Sequence, residues 1–284
     1  MTVVNAFTVD LEDWFQGLTS TNSRPSTWGL LEARLEKNAL RLLALLDEYG
    51  VRATFFVLGH VAKQYPDLIR QIDAAGHEIG VHGFWHRMVH RMDPQQFAQE
   101  LDSALEMLTP LASRPILGHR APYFSINGRS LWALDVLRQK GLCYDSSFFP
   151  TRNMLYGYPE SPRYPHIIES RELVEFPVST VRWGGLNLPI AGGFYLRTLP
   201  YVLIRRGIQQ LNRQGQPAIM YIHPWELDTG QRYSRVTPRE RLTHYHGRAG
   251  LERKLRHLFT DFRFKPLRDL LATFAGSILT NSES

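Results

Sequence analysis

Short apolar runs that end on polar residues recur along the chain, separated by segments of helical period. Residues 3–10 (Val-Val-Asn-Ala-Phe-Thr-Val-Asp) read as a buried strand ending on an acid. Over 28–49, Leu31, Leu35, Leu42, Leu43 and Leu46 fall on one broad helical face, and Gly50 follows as the C′ residue. Residues 53–58 form a continuous apolar strand, closed by Gly59 and His60. A helix over 66–75 ends at Gly76, and a strand over 78–81 runs into His82. Asp93-Pro94-Gln95-Gln96 offers an N-cap, a first-turn proline and a capping-box partner for a helix reaching about residue 111. Short strands over 116–119 and 142–145 flank a helix over 130–139. Strands alternating with helices at this rhythm predict parallel β/α units.

Between 151 and 189 the rhythm breaks. Pro159, Pro162 and Pro165, interleaved with Tyr156, Tyr158 and Tyr164, predict a long surface excursion held down by its aromatics. Glu175-Phe176-Pro177 closes one strand within it, and Gly192-Gly193-Phe194-Tyr195 is a glycine turn carrying aromatics. A helix from 198–200 to about 214 leads to a buried strand over 218–222, which ends at His223-Pro224-Trp225-Glu226. Helices near 251–259 and 267–274 form a cap on the same domain, and residues 276–284 are expected to fray. There is no internal repeat.

A 43% hydrophobic, 21% charged chain of 284 residues has the balance of a globular protein with a full core. The 33 basic against 27 acidic residues give a net charge of +6. The excess gathers partly at Arg232, Arg235, Arg239, Arg241, Arg248, Arg253, Lys254 and Arg256, which read first as a solvated basic face and second as a contact for an anionic substrate or a membrane surface. No basic motif interleaved with aromatics supports nucleic-acid binding. The single cysteine, Cys143, excludes an intrachain disulfide and fits a reducing compartment. No signal-like segment precedes the first strand, and no apolar run approaches the ~18 residues that span a bilayer. The expectation is a cytoplasmic protein with at most peripheral membrane contact.

The chemistry lies at the strand ends. His82 and His86 stand four apart around a Gly83 that ends their strand, the spacing that brings two imidazoles to one divalent metal. Asp10, Glu12 and Asp13 place three carboxylates within four residues, which repel one another unless a cation intervenes. Arg120, Asp145 and His223 end later strands, so a barrel or open sheet gathers all of them at one mouth. Two histidines and a carboxylate leave metal positions open for water. A further carboxylate to accept a proton and a further histidine to give one complete the equipment for metal-assisted hydrolysis of an amide or ester.

On these motifs the chain resembles the polysaccharide deacetylase family, the carbohydrate esterases sharing the NodB homology domain. Thr8-Val-Asp-Leu-Glu-Asp13 stands where the family has Thr-Phe-Asp-Asp-Gly. His82-Gly-Phe-Trp-His86 matches its His-x-x-x-His motif, Arg120-Ala-Pro-Tyr its Arg-x-Pro motif, Asp145-Ser-Ser its Asp-x-Ser-type segment, and Ile222-His223 its closing hydrophobic-His motif. The likeness spans roughly residues 3–226, and 227–275 resembles the extension of a subgroup linked to exopolysaccharide biosynthesis. It implies an α/β fold, a distorted (β/α) barrel with a C-terminal helical extension, as one domain over 1–275. It also implies Asp10 as general base, His82 and His86 as metal ligands, His223 as general acid, Arg120 orienting the base, Tyr123 offering a backbone N–H to the oxyanion, and Asp145 supporting His223. Ile222 would wall the acetyl pocket. Trp14, Trp225 and Tyr195 join it as candidates to contact substrate, with Trp85 and Trp183 as further aromatics for a groove.

One departure stands out. The family's metal-binding aspartate follows the base directly, and here that position is Leu11. Register favours Glu12 as the replacement, and ligand type favours Asp13. The cofactor implied is one divalent ion, zinc first, with nickel, cobalt and iron also suited. The substrate implied is an N-acetylated glycan or a lipid-linked glycan precursor. The alternatives are an allantoinase-like hydrolase of a small cyclic amide or ureide, and an inactive carbohydrate-binding relative.

Overall fold

The computed structural model describes residues 3–18, 21, 24–151, 157–232 and 235–281, without the side chains of Glu169 and 275–281. Tyr156, expected to anchor the central excursion, and the end of the tail at 282–284 lie outside the described residues. In chain order the strands are β1 (Asn5–Leu11), β2 (Thr54–Val57), β3 (Glu78–Val81), β4 (Gly118–His119), β5 (Tyr144–Asp145), β6 (His166–Ile168), β7 (Leu173–Glu175), β8 (Thr180–Trp183), β9 (Leu186–Pro189), β10 (Ile219–Ile222) and β11 (Phe264–Lys265). The helices are α1 (Leu35–Glu48), α2 (Gly59–Gln64), α3 (Pro66–Ala74), α4 (Pro94–Leu108), α5 (Trp132–Gln139), α6 (Gly193–Thr198), α7 (Tyr201–Arg213), α8 (Arg248–Asp261) and α9 (Leu267–Asn281).

The main sheet runs β10-β1-β2-β3-β4-β5-β7-β6, with β11 pairing on β1. Every pairing is parallel except β6 with β7. The sheet curls, and just past β7 the Ser179 N–H donates to the Ile219 carbonyl at 3.3 Å, so a single backbone bond bridges toward β10. This is the distorted barrel that the family resemblance implies, built from the parallel β/α units that the strand–helix rhythm predicts, with two of its staves only two residues long. The strands are shorter than their apolar runs because only the residues facing both neighbours complete the ladder.

Several local signals appear as expected. Asp93 and Gln96 form a reciprocal capping box, with Gln96 N–H to Asp93 Oδ1 at 2.8 Å and Asp93 N–H to Gln96 Oε1 at 3.2 Å. Two elements differ. The helix predicted from Trp28 starts at Leu35, because the Asp13 carboxylate takes the Arg34 and Leu35 N–H groups from outside and sets the first turn there. Residues 25–30 are instead a short 3₁₀ turn that buries Trp28. The central excursion is only partly irregular: β6 and β7 extend the main sheet, and β8 and β9 form a separate hairpin. The last helix, α9, runs from Leu267 to Asn281.

The barrel interior is layered. At the base, Leu267 and Leu270 of α9 plug the opening against Ala6, Phe56, Tyr144, Val174, Phe176 and Ile219. Glu78 ties the plug down: its carboxylate accepts from Thr54 Oγ1 at 2.6 Å, Tyr144 Oη at 2.9 Å and the Arg268 N–H at 3.0 Å. A carboxylate at a helix N-terminus is favoured by the helix dipole as well as by its hydrogen bonds. Above this layer the Arg120 guanidinium lies 4.4 Å over the Phe56 ring, and the polar mouth begins.

His77, just before β3, accepts the Ala53 N–H at Nδ1 (3.1 Å) and stands edge-on to Phe55. Burial, with Arg52 adding to it against a smaller opposing pull from Asp47, lowers its pKa from 6.5 to about 4. The neutral imidazole is therefore the folded form. Its contribution to stability is complete above pH 6.5 and is lost as pH falls through that window toward 4. His77→Gln, which keeps an acceptor, should flatten the loss of denaturation midpoint between pH 6.5 and 4. Superimposable midpoint-versus-pH curves for the two proteins would refute this.

Candidate functional site

The strand ends bring three ligand-type side chains together. Ligand atoms of Glu12, His82 and His86 all lie within 4.8 Å of one another, and all three residues are buried. His82 ends β3, and its Nδ1 lies 2.7 Å from the Arg120 carbonyl. A carbonyl only accepts, so Nδ1 carries the hydrogen and Nε2 keeps its lone pair, the tautomer a metal ligand requires. Burial, against the pull of Asp10, lowers the His82 pKa to about 4 and keeps the ring neutral. Gly83 (φ 77°) turns the chain, and His86 follows in a left-handed conformation (φ 56°) that a non-glycine residue rarely adopts. That turn sets His86 Nε2 2.7 Å from Glu12 Oε2. Burial alone would raise the Glu12 carboxyl, but His86, His223 and His82 around it hold its pKa at about 2. Buried oxygen and imidazole nitrogens, with the tautomer fixed from behind, fit a divalent cation with nitrogen and oxygen ligands.

Asp13 is turned away from this cluster. Its carboxylate accepts the N–H groups of Trp14 (2.8 Å), Arg34 (2.7 Å) and Leu35 (3.0 Å). Of the two carboxylates left open by the sequence, Glu12 reaches the histidines and Asp13 starts α1. The physical reason is alternation: Leu11 points into the core, so the next residue faces the mouth.

Asp10 ends the same strand one layer down. Arg120 Nη1 donates to Asp10 Oδ1 at 2.8 Å and to Thr8 Oγ1 at 2.7 Å, Nε donates to the Ser146 carbonyl at 3.0 Å, and Nη2 to Ser146 Oγ at 2.8 Å. The pairing expected of Arg120 with Asp10 is present, and the guanidinium is wholly buried. His223 Nε2 stands 3.8 Å from Asp10 Oδ2 and 3.5 Å from Glu12 Oε1. Burial pushes the His223 pKa down, yet Glu12, Glu226 and Asp10 together outweigh it and lift the value to about 9.

The support of His223 differs from the expectation. Asp145 is not beside it: Asp145 Oδ1 contacts His119 Nδ1 at 2.7 Å and accepts from Ser147 Oγ at 2.7 Å. The partner of His223 is Glu226, whose Oε1 lies 2.7 Å from Nδ1 and also accepts the His223 N–H at 3.0 Å. Arg197 pairs with the other Glu226 oxygen at 2.5 Å and donates to the carbonyls of Thr243, His244 and His246. Glu226 and Arg197 were missed. The signal for Glu226 was present: a carboxylate three residues past His223, with proline between, is capping-box spacing.

These groups open into one cavity of about 610 Å³. Asp10, Glu12, His82, His86, Tyr123, Tyr195, His223 and Trp225 line it, as do Tyr221 and residues of 237–244. Ile222 does not; it faces the helices, while Tyr221, one residue earlier, faces the cavity. Trp14 is also absent from the lining, packed with Phe15 and Trp28 and donating Nε1 to the Glu32 carbonyl. Trp183 is exposed on a hairpin away from this lining, and Trp85 packs on His60 and Trp28. Trp225 stacks on His223 (4.9 Å, 19°) and His244 (4.0 Å, 20°) and donates to Glu12 Oε1 at 3.2 Å. Tyr123 and Phe124 carry positive φ values of 56° and 49° at the rim. Left-handed non-glycine residues clustered at one mouth are the strain that functional sites retain. The site offers a ligand set for a cation, a fixed carboxylate and a carboxylate-supported histidine around one point, the side chains that metal-assisted hydrolysis requires.

Comparison with known proteins agrees with this geometry. Residues 29–143 match the polysaccharide deacetylase family model, and residues 146–272 match a domain of unknown function, DUF3473. A peptidoglycan deacetylase-like protein of Gibberella zeae is 32% identical over 125 residues, 42% of this chain and 36% of that protein. The matched stretch thus spans well under half of that relative. Among solved structures, a putative polysaccharide deacetylase from Mycobacterium smegmatis superposes with a TM-score of 0.65 at 22% identity, over 97% of this chain and 91% of that one. The PuuE allantoinase superposes with a TM-score of 0.64 at 17% identity, over 96% and 90% of the two chains. At these identities the structural likenesses speak for the fold alone.

The geometry separates Glu12 from Asp13. Glu12→Ala, His82→Ala and His86→Ala should each purify folded with most of the metal lost, as measured by inductively coupled plasma mass spectrometry. Asp13→Ala should keep its metal and instead lose about 1–2 kcal/mol of stability, the scale of a lost helix-start acceptor. Metal loss in Asp13→Ala with retention in Glu12→Ala would reverse the assignment.

Proposed function

Because the chain belongs to the polysaccharide deacetylase family, we propose that it is a metal-dependent hydrolase removing N-acetyl groups from an acetamido sugar, within a glycan or on a lipid-linked glycan precursor. The observation that carries the reading is the convergence of the Glu12–His82–His86 cluster, the Asp10–Arg120 pair and the His223–Glu226 pair on one cavity. Glu12, His82 and His86 would hold one divalent cation, zinc by the ligand set, which when bound supplies Lewis acidity toward water and the acetyl carbonyl. Named relatives include chitooligosaccharide and peptidoglycan deacetylases, which favours an acetamido sugar of an oligosaccharide or wall glycan, and the resemblance of the 227–275 extension favours an exopolysaccharide or its precursor.

The chain's own residues carry the protons. Asp10, whose Oδ1 accepts from Arg120 Nη1, takes a proton from the attacking water. The oxygen of that water bonds to the acetyl carbon, and the Tyr123 backbone N–H donates to the oxygen that becomes negative. His223, protonated and oriented by Glu226, delivers its proton to the sugar nitrogen as the carbon–nitrogen bond breaks. The products are acetate and a free amino sugar. Arg120, buried beside Asp10, keeps the base aimed, and the Trp225 indole, stacked on His223, walls the cavity.

The bounded cavity also suits a second reading. At about 610 Å³ it falls within the range of pockets that take one small ligand, about 300–1,000 Å³. A small cyclic amide or ureide would fit such a volume. An inactive carbohydrate-binding protein is disfavoured by the presence in one cavity of Asp10, Glu12, His82, His86 and His223, side chains of the types that base, ligands and acid require.

Acetate release from chitooligosaccharides, peptidoglycan fragments and nucleotide- or lipid-linked acetamido sugars, run beside allantoin hydrolysis, tests the reading. Acetate from at least one acetamido sugar and no ureide turnover is expected, whereas ureide turnover alone would replace it. On the active substrate, Asp10→Asn and His223→Ala should each lower kcat by about 10²–10⁴ with metal content near wild type. Glu226→Gln should lower kcat more than it changes KM, since it unsettles the proton donor and not the binding wall. An unchanged kcat in His223→Ala would remove that residue from the mechanism.

A further inference from the structure

The β8–β9 hairpin leaves one apolar face uncovered. Directly opposed residues of an antiparallel pair share a face, so Val181 with Leu188 and Trp183 with Leu186 line one side. Val181 is buried at the base, whereas Trp183, Leu186 and Leu188 are 43%, 67% and 38% exposed. Gly184 and Gly185 (φ 55° and 84°) make the tight tip, a two-residue loop that both left-handed positions allow. Helix α7 packs against the hairpin base, where a Cβ on Gly207 would meet Val181 and Ile190. The same helix carries Val202, 50% exposed, and the exposed Arg205 and Arg206.

Charge follows the same pattern. Residues 176–225 contain five arginines and no aspartate or glutamate. Arg197 is taken up inside the fold by Glu226, and Arg205 pairs with Asp261 at 2.8 Å. Arg182, on the hairpin itself, and Arg206 have no carboxylate in ion-pair reach among the described residues and are exposed. An apolar tip with an indole, flanked by two unneutralised guanidinium groups and with no acid in its own stretch of chain, is therefore presented to solvent.

We propose that this hairpin docks the protein on an anionic lipid surface, with Trp183 and Leu186 entering the headgroup region and Arg182 and Arg206 meeting lipid phosphates. Two features select this occupant over a folded protein partner. The exposed apolar part is three side chains on a narrow tip, far below the roughly 800 Å² per side of a stable protein interface. Reversible attachment to a bilayer needs only shallow apolar insertion with a few basic contacts, and tryptophan is favoured at that depth. The proposal stands apart from the deacetylase reading and places the protein where a lipid-linked substrate would be met. Among the described residues no helix is long and apolar enough to cross a membrane, so the contact is superficial.

Co-sedimentation of the full chain with phosphatidylcholine vesicles, with and without phosphatidylglycerol, tests the inference and reads no activity, so its failure leaves the deacetylase reading untouched. The wild type should pellet with the phosphatidylglycerol vesicles, pellet little with phosphatidylcholine alone, and detach as salt rises. Trp183→Ser/Leu186→Ser should bind about tenfold more weakly, with an unchanged melting temperature. Should that pair melt early, Leu186→Lys, at the most exposed tip position, serves in its place. A wild type that stays in the supernatant with every vesicle overturns the proposal. So does a tip variant that pellets like wild type, or binding to a soluble acidic polysaccharide without binding to vesicles.

Discussion

The buried Arg120 guanidinium is the constraint on which the mouth of the barrel depends. It is carried just past β4, yet it bonds Thr8 and Asp10 of β1 and Ser146 beyond β5, so strands far apart in the sheet are held at one height. A charge taken from water costs several kcal/mol unless its donors are met, and here the Asp10 carboxylate, two hydroxyls and a carbonyl meet them. The Phe56 ring beneath and the Phe124 and Tyr221 rings around it complete the cage. The same residue's backbone carbonyl sets the tautomer of His82. One side chain and its own carbonyl thus fix both the carboxylate proposed as base and a proposed metal ligand.

A second network runs through the C-terminal half. Glu226 holds His223, Arg197 holds Glu226, and the carbonyls of Thr243, His244 and His246 hold Arg197. Trp225 lies between, stacked on two imidazoles and bonded to Glu12. The stretch that matches a domain of unknown function therefore supplies the support of the histidine and a wall of the cavity. Asp145, freed from that duty, sits in a buried group with His119, Ser147 and Glu175, where burial and then Asp145 itself raise the Glu175 carboxyl. His119 in turn stands edge-on to Phe97 of α4, so the group lies between the sheet and that helix.

What the sequence determined by itself is what local chemistry dictates. Apolar runs that end on polar residues, helices closed by Gly50 and Gly76, and the Asp93 capping box each carry their structure within a few residues. The strand–helix rhythm then requires a parallel sheet, and a parallel sheet puts every strand end on one edge. Asp10, His82, His86, Arg120 and His223 were legible as one site for that reason. What only the tertiary structure decided is each choice between side chains of equal local standing. Glu12 and Asp13 are adjacent acids, and the start of α1, twenty-odd residues on, claims Asp13 and leaves Glu12 for the histidines. Asp145 and Glu226 are both carboxylates near strand ends, and only the path of the chain after β10 puts Glu226 under His223. Ile222 and Tyr221 differ by one residue, and the pleat of β10 turns one to the helices and the other to the cavity. Such choices depend on distances between segments remote in the chain, which periodicity and spacing do not contain.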